Sequence, residues 1–294
     1  MNISIIIPVY NGEKTLKELY YKIKNTLAGN ISYELIFVYD HGKDNSWEII
    51  KGFAQEDKDH IRGYHFNKNY GQQLATFYGL KKASGNILIT MDEDNQHNPE
   101  YIPEMIKKLE CEQLDYVYGK FRKISRPFSR AFLSLILKRM LCFMIPSLPD
   151  EYSSYRVIRK ELANKALNEN SHFSFLDAEL GKLSTNYGNL FIDQRKKSDR
   201  KSSYTINRLL KQLFDVLFKY SSLFRLIYNT SLVLVLISSI ITCCLTMSYS
   251  VHLISICIFF FLISSIMILI MINSYNRINS KSDPFVTECI NQII

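Results

Sequence analysis

The chain has 294 residues, with 36 Lys and Arg against 28 Asp and Glu, a net charge of +8 that suits an anionic lipid surface or a phosphate-bearing ligand. Length alone leaves one large domain or two ordinary ones open, but the charge is unevenly placed: residues 226–276 contain no Asp, Glu, Lys or Arg. That pattern reads as a globular head on a membrane anchor, the alternative being a pair of buried core helices in a large soluble protein. Without a recognition motif beside the basic residues no nucleic-acid partner is expected.

The opening MNISIIIPVYNGE has neither a basic n-region nor a long apolar h-region, so no signal peptide is expected. ISIIIPVY reads as a buried strand. GEKTLKELYYKIKNTLA reads as a helix with its apolar stripe at Leu16, Leu19, Tyr20, Ile23 and Leu27, and YELIFVYD as the next strand. DNSWEIIKGFAQE follows as a helix opened by Asp44 or Asn45, then IRGYHF as a strand, QQLATFYGLKKA as a helix and NILITMD as a strand. Alternating strands and helices predict an α/β fold with a mostly parallel sheet flanked by helices, its ligand outside the carboxyl ends of the strands. The polar segments PVYNGE, YDHGKD, NKNYGQQ and MDEDNQ all fall at those ends. No G-x-G-x-x-G follows the first strand and no G-x-x-x-x-G-K-S/T occurs, so neither a dinucleotide fingerprint nor a P-loop is supported.

Three consecutive acids, Asp92, Glu93 and Asp94, end the fourth strand. Alternation sends Asp92 and Asp94 to one side and Glu93 to the other. Two carboxylates on one side can hold Mg²⁺ or Mn²⁺ together with phosphate oxygens and water. An EF-hand fails, because counting from Asp92 the glycine position is His97 and the bidentate glutamate position is Pro103. The bland alternative is a cap on the helix beginning NPEYIPEMIKKL, but that needs only Asn98 as N-cap with Pro99 at N1.

Farther along, FSRAFLSLILKRMLCFMIP is apolar with basic residues and too short to span, and it reads as an interfacial or a buried helix. SSYRVIRKE carries Arg156, which either binds acceptor phosphate or pairs with an acid of the sheet. SFLDAEL places Asp177 and Glu179 on a helix. DQRKKSDRKSSYTINRLLK mixes cations with Ser202, Ser203 and Tyr204, suiting a diphosphate or a lipid phosphate. Residues 226–247 and 251–273 are each long enough to cross a bilayer core, which takes about 20 apolar residues. The flanking Lys219, Arg225, Arg277 and Lys281 then place both ends in the cytoplasm. The expected organisation is a cytoplasmic domain over 1–210, a juxtamembrane linker over 211–225, a two-helix transmembrane hairpin over 226–276 and a cytoplasmic tail over 277–294. The six cysteines lack metal-ligand spacing and read as reduced, small fillers.

SIIIPVYNGEKTL, YELIFVYDHGKDNSWEII, NKNYGQQLATFYGLKKASGNILITMDEDNQHNPE and DEYSSYRVIRKELANKAL, in this order, resemble the family 2 glycosyltransferases of GT-A fold. Within them the membrane-anchored group of dolichyl-phosphate mannose synthase and the bactoprenol glucosyltransferases is most alike, over most of residues 3–210. The resemblance implies that Pro8, Tyr10, Asn11 and Glu13 form a nucleotide-contacting turn and that Asp40 accepts from the base or ribose. It implies that Lys68 and Gln72, in the place of the family's R-N-x-G-Q segment, bind the nucleotide sugar with Asp92 and Glu93. It also makes Asp92 and Asp94 the metal pair, with Asp94 the direct ligand and a catalytic residue. The basic stretch corresponds to a loop closing on the donor diphosphate, in which Lys197, Arg200, Ser202 and Tyr204 take part. Asp40-His41-Gly42 departs from the family's Asp-Gly-Ser, and Lys68 replaces an Arg, keeping the charge without the planar fork.

The implied activity is transfer of a sugar, with inversion, from a nucleotide diphosphate sugar to polyprenyl phosphate at the inner membrane, with Mg²⁺ or Mn²⁺. The alternative acceptor is a polyprenyl-diphosphate-linked sugar of a surface polysaccharide; a sugar hydroxyl there would need a base, for which Asp177 is the candidate. An inactive scaffold for a flippase is the reading from another class, and a homo-oligomer occurs among the resembling proteins.

Overall fold

A computed structural model describes residues 2–29, 32–122, 141–168, 175–193 and 286–291 continuously, with single positions or short stretches at 139 and between 216 and 270. The chain divides into two compact units, and the first contains every element named below.

Strand β1 (Asn2–Val9) shows why the sheet forms: from Ile3 to Val9 every residue is buried, as a strand covered on both faces requires. Each isoleucine withdrawn there contributes about 1.5–3 kcal/mol. β2 (Ser32–Tyr39), β3 (Ile61–Phe66) and β4 (Ile87–Thr90) run parallel to it in the order β4-β1-β2-β3. The connecting helices are α1 (Leu16–Leu27), α2 (Ser46–Glu56) and α3 (Gln72–Lys82). The stripe on α1 is buried at each of the five expected positions. The helix itself starts four residues later than the sequence suggests, since Gly12 to Thr15 form a turn in which Thr15 and Leu16 donate back to Gly12 O.

Beyond β4 the sheet ceases to be parallel. A 3₁₀ turn capped by Asn98, with Pro99 first, leads into α4 (Ile102–Cys111) and β5 (Tyr116–Phe121). Next comes β6 (Arg156–Arg159), which inserts antiparallel between β4 and β5. Helices α5 (Lys160–Asn168) and α6 (Leu176–Leu183) precede β7 (Tyr187–Ile192), parallel to β5 at one edge. The full order is β7-β5-β6-β4-β1-β2-β3-β8. One face packs on α1, α2 and α4, and the other on α3, α5 and α6.

The other edge holds an unexpected strand. β8 (Val286–Ile290) lies in the stretch expected to be a tail, yet it pairs antiparallel with β3 in the register Tyr64 to Cys289 and His65 to Glu288. Trp47 Nε1 donates to Glu288 Oε2 at 2.7 Å, and Asn291 Nδ2 donates to the carbonyls of Ala54 and Ile61 at 3.1 and 3.0 Å. Five residues of mixed character after a long apolar run carry too little pattern to announce a strand.

The two expected spans fall largely outside the described residues. Among the described residues no helix is long and apolar enough to cross a membrane. The described positions there are helical, and Val233, Ile237, Ile240, Leu262, Ile266, Leu269 and Ile270 expose their apolar side chains.

Candidate active site

The carboxyl ends of β1 and β2 are tied to each other before any ligand is considered. Asn11, at φ 53°, accepts from the Lys43 amide at 2.6 Å, while Glu13 accepts from the amide and side chain of Asn45 at 3.3 and 3.2 Å. Gly12 N donates to Ser46 Oγ at 2.8 Å and Glu13 N to Asp44 at 2.9 Å. The side-chain oxygens of Asn11 and Glu13, expected at a nucleotide, are therefore engaged in bracing two loops. Asp40 is likewise built in: it is 2% exposed and accepts from the amides of Tyr70 and Gly71 at 2.6 and 2.7 Å, while its own carbonyl accepts from Asn69. The turn after β3 is thereby fixed, with the ammonium of Lys68 5.1 Å from the ring of Tyr70. Tyr10 sits half-buried on the same rim.

Gly71, at φ 99°, caps α3 and aims its first residue across the sheet. Gln72 Nε2 donates to Asp92 Oδ1, and Ser154 Oγ donates to Asp92 Oδ2 at 2.7 Å. Asp94 accepts from the amide of Gln96 at 3.1 Å and from its side-chain nitrogen. Glu93 lies toward Gly12, where an added Cβ would meet its Cγ at 2.9 Å. Among the described residues neither Asp92 nor Asp94 has a Lys or Arg partner. His97, buried beside them, has its pKa lowered by burial, with the charges of Asp92 and Asp94 acting the other way. Two carboxylates without a salt-bridge partner among the described residues are a donor set suited to a hard divalent ion that completes its shell with phosphate and water. Among the described residues no three His, Cys, Asp or Glu side chains gather as a cluster, so such an ion would take only part of its shell from acidic side chains.

Next to Asp92 opens a cavity of about 430 Å³ whose lining includes Pro8, Gln73, Gln96, His97, Lys120 and Tyr152. Its floor is an ion pair. Arg156 Nε and Nη2 donate to Asp177 Oδ1 and Oδ2, each at 2.7 Å, Arg156 Nη1 donates to Thr90 at 3.1 Å, and the Tyr118 hydroxyl donates to Asp177 at 2.8 Å. Arg156 and Asp177 are 5% and 1% exposed. Arg156, which the sequence leaves between an acceptor phosphate and an acid of the sheet, pairs with Asp177, an acid of helix α6. Lys120 and Glu151 pair at the cavity wall. Sequence reasoning missed Gln96, His97, Tyr118, Glu151 and the contact of Ser154 with Asp92. Only the neighbourhood of Gln96 and His97 to the acids could have flagged any of them. Lys197, Arg200, Ser202 and Tyr204 lie outside the described residues.

Residues 4–167, more than half of the chain, match the family described as glycosyl transferase family 2. The chain belongs to glycosyltransferase family 2. Among curated members of that kind it is 30% identical over 220 residues to undecaprenyl-phosphate 4-deoxy-4-formamido-L-arabinose transferase of Shewanella sediminis, covering 73% of this chain and 65% of the relative. It is 32% identical over 169 residues to dolichol-phosphate mannosyltransferase of Pyrococcus furiosus, covering 55% and 47%. The family 2 chain thus spans less than two thirds of the length of these relatives. In fold it is similar to glucosyl-3-phosphoglycerate synthase from Mycobacterium tuberculosis in complex with Mn²⁺, UDP-glucose and phosphoglyceric acid, with a TM-score of 0.55 and 18% identity over 74% of this chain and 79% of that one. TarS of S. aureus in complex with UDP-GlcNAc is similar with a TM-score of 0.53 and 17% identity over 76% and 68%. These two likenesses are of GT-A-like fold.

Proposed function

We propose that this family 2 chain transfers a sugar, with inversion, from a nucleotide diphosphate sugar to polyprenyl phosphate. The observation that carries the reading is the pair Asp92 and Asp94, without cationic partners among the described residues, beside a cavity at the carboxyl end of β4. The nucleotide lies along the rim formed by Pro8, Tyr10, Asp40 and Lys68, and the sugar enters the cavity. Asp92 and Asp94 would hold Mg²⁺ or Mn²⁺, which when bound supplies Lewis-acid stabilisation of the leaving diphosphate. Gln72 and Ser154 orient Asp92 toward that task. Lys197, Arg200, Ser202 and Tyr204 bind the diphosphate or the acceptor phosphate.

The ion pair on the cavity floor favours a phosphate acceptor. A lipid phosphate is already anionic at neutral pH and needs no base, whereas a sugar hydroxyl would need one. Asp177 already accepts from Arg156 through both oxygens and from the Tyr118 hydroxyl.

The membrane part of the reading is a two-span hairpin over 226–276 with the catalytic domain on the cytoplasmic face. Two features support it. The segment is uncharged, and the chain is back in the sheet at Val286, so whatever crosses a bilayer between them crosses it an even number of times.

The test is donor turnover by the detergent-solubilised chain with a panel of nucleotide sugars and Mn²⁺, with and without undecaprenyl phosphate. Lipid-dependent release of nucleoside diphosphate, lost in Asp94→Ala, is expected. Donor binding without transfer to the lipid phosphate would overturn the acceptor, and no donor binding would overturn the activity.

A further inference from the structure

Behind the two acids stands a histidine with no role in the reading so far. His97 is 4% exposed, and its ring lies between those of Tyr155 and Phe121, with centroids 5.0 and 5.6 Å away and planes inclined by 21° and 20°. Tyr155 is itself fixed, donating its hydroxyl to Asn98 O at 3.0 Å. The amide of Asp92 donates to His97 Nδ1 at 3.1 Å. A backbone N–H can only donate, so Nδ1 carries no proton and a neutral ring keeps its hydrogen on Nε2. The chain therefore folds back at His97 onto the first acid of the cluster and closes a loop that contains Asp94 and Gln96. On the far side Asn95, at φ 62°, donates to Thr15 O at 3.4 Å and to Glu18 at 2.9 Å.

Among the described residues neither carboxylate of this loop forms a salt bridge with a Lys or Arg, and the buried Arg156 acts on Asp92 only through its field. The side-chain contacts of Asp92 with Gln72 and Ser154 orient one carboxylate, but they do not fix the backbone that positions the second. The contact of His97 Nδ1 with the Asp92 amide ties one end of the loop to the other, and the rings of Tyr155 and Phe121 hold the imidazole in place for it.

We infer that His97 is a positioning residue for the divalent ion: by accepting from the Asp92 amide it holds Asp92 and Asp94 in one coordination geometry. This rests on the reading of Asp92 and Asp94 as metal ligands. Groups that orient ligands in this way change metal affinity by about 10- to 100-fold when removed. The carrying comparison is between two variants of the full chain in detergent. His97→Phe keeps a flat ring between Tyr155 and Phe121 but offers no acceptor, while His97→Asn offers a carboxamide oxygen to the Asp92 amide.

Mn²⁺ binding is read from the electron paramagnetic resonance of the free ion, with Tm recorded alongside. The expected result is a dissociation constant about 10- to 100-fold higher in His97→Phe, largely restored in His97→Asn. Wild-type affinity in a folded His97→Phe overturns the inference, and so does an equal loss in both variants. A measurement on the unaltered protein covers the case in which His97→Phe does not fold. Nitrogen hyperfine coupling from an imidazole on bound Mn²⁺ would make His97 a ligand and overturn the positioning role; its absence agrees with it. Asp94→Ala in the same titration separates the two failures: wild-type affinity there would sink the metal reading, whereas weakened binding there beside an unchanged His97→Phe would sink the role of His97 alone.

Discussion

Asp177 was expected on a helix near the acceptor, and its type and position read correctly as far as sequence goes. What sequence could not supply is the partner 21 residues away. A buried carboxylate that holds a guanidinium through two bonds is a structural anchor, and breaking such a pair from one side costs about 3–5 kcal/mol because the other charge stays buried. Asp177→Ala should therefore lower Tm sharply along with activity. Replacing both partners, Arg156→Met with Asp177→Leu, should recover most of the Tm without recovering the cavity floor. A melt of both variants checks this. His65 offers a pH prediction at the same scale. Burial, aided by His41, lowers its pKa below the ordinary value, so between the two values the unfolded chain binds more protons than the folded one. Its share of stability is fully present above about pH 6.5 and is lost as pH falls below that. Tm measured from pH 7.5 to 5.5 should fall more in the wild type than in His65→Phe.

The elements of the first hundred residues were legible because each carries a clear period: the stripe on α1, the buried run of β1, the cap at Asn98. The error at the start of α1 has a cause partly distant in sequence, since Gly12 N is taken by Ser46 Oγ, 34 residues on, and its carbonyl by the turn. Helix α3 shows what an element contributes to the site. Gly79 lets it lie so close on β1 that an added Cβ would meet Ile6 Cγ2 at 2.4 Å, and Gly71 at φ 99° points its N-terminus at Asp92. Gly71→Ala should cost about 1–3 kcal/mol in backbone strain, since at φ 99° and ψ 154° the position sits in a region that is essentially open to glycine alone. It should also weaken donor turnover by displacing Gln72, measurable as a fall in Tm together with a raised KM for the nucleotide sugar.

At the scale of the whole chain, β8 ties residues beyond the uncharged segment to the edge of the catalytic sheet. Removing residues 282–294 should bare the row of backbone groups along β3 and leave Trp47 without Glu288, so aggregation is expected on gel filtration in detergent. If the proposed hairpin is right, epitopes placed at either end of this chain should lie on the same face of sealed vesicles. Opposite protection of the two from protease would sink the hairpin.

The sequence by itself determined the α/β alternation, the carboxyl-end rim, the acid cluster and the uncharged segment, because each is written in residues adjacent along the chain. The family resemblance rests on the same local strings, which is why the match over residues 4–167 agrees with it. Only the tertiary structure decided which polar groups are tied to distant partners. Asn11, Glu13, Asp40, Arg156 and Asp177 are all spent on partners distant in sequence, while among the described residues Asp92 and Asp94 lack a cation. The insertion of β6 and the return of β8 were decided there too, since strand pairing depends on contacts between segments that no local period encodes.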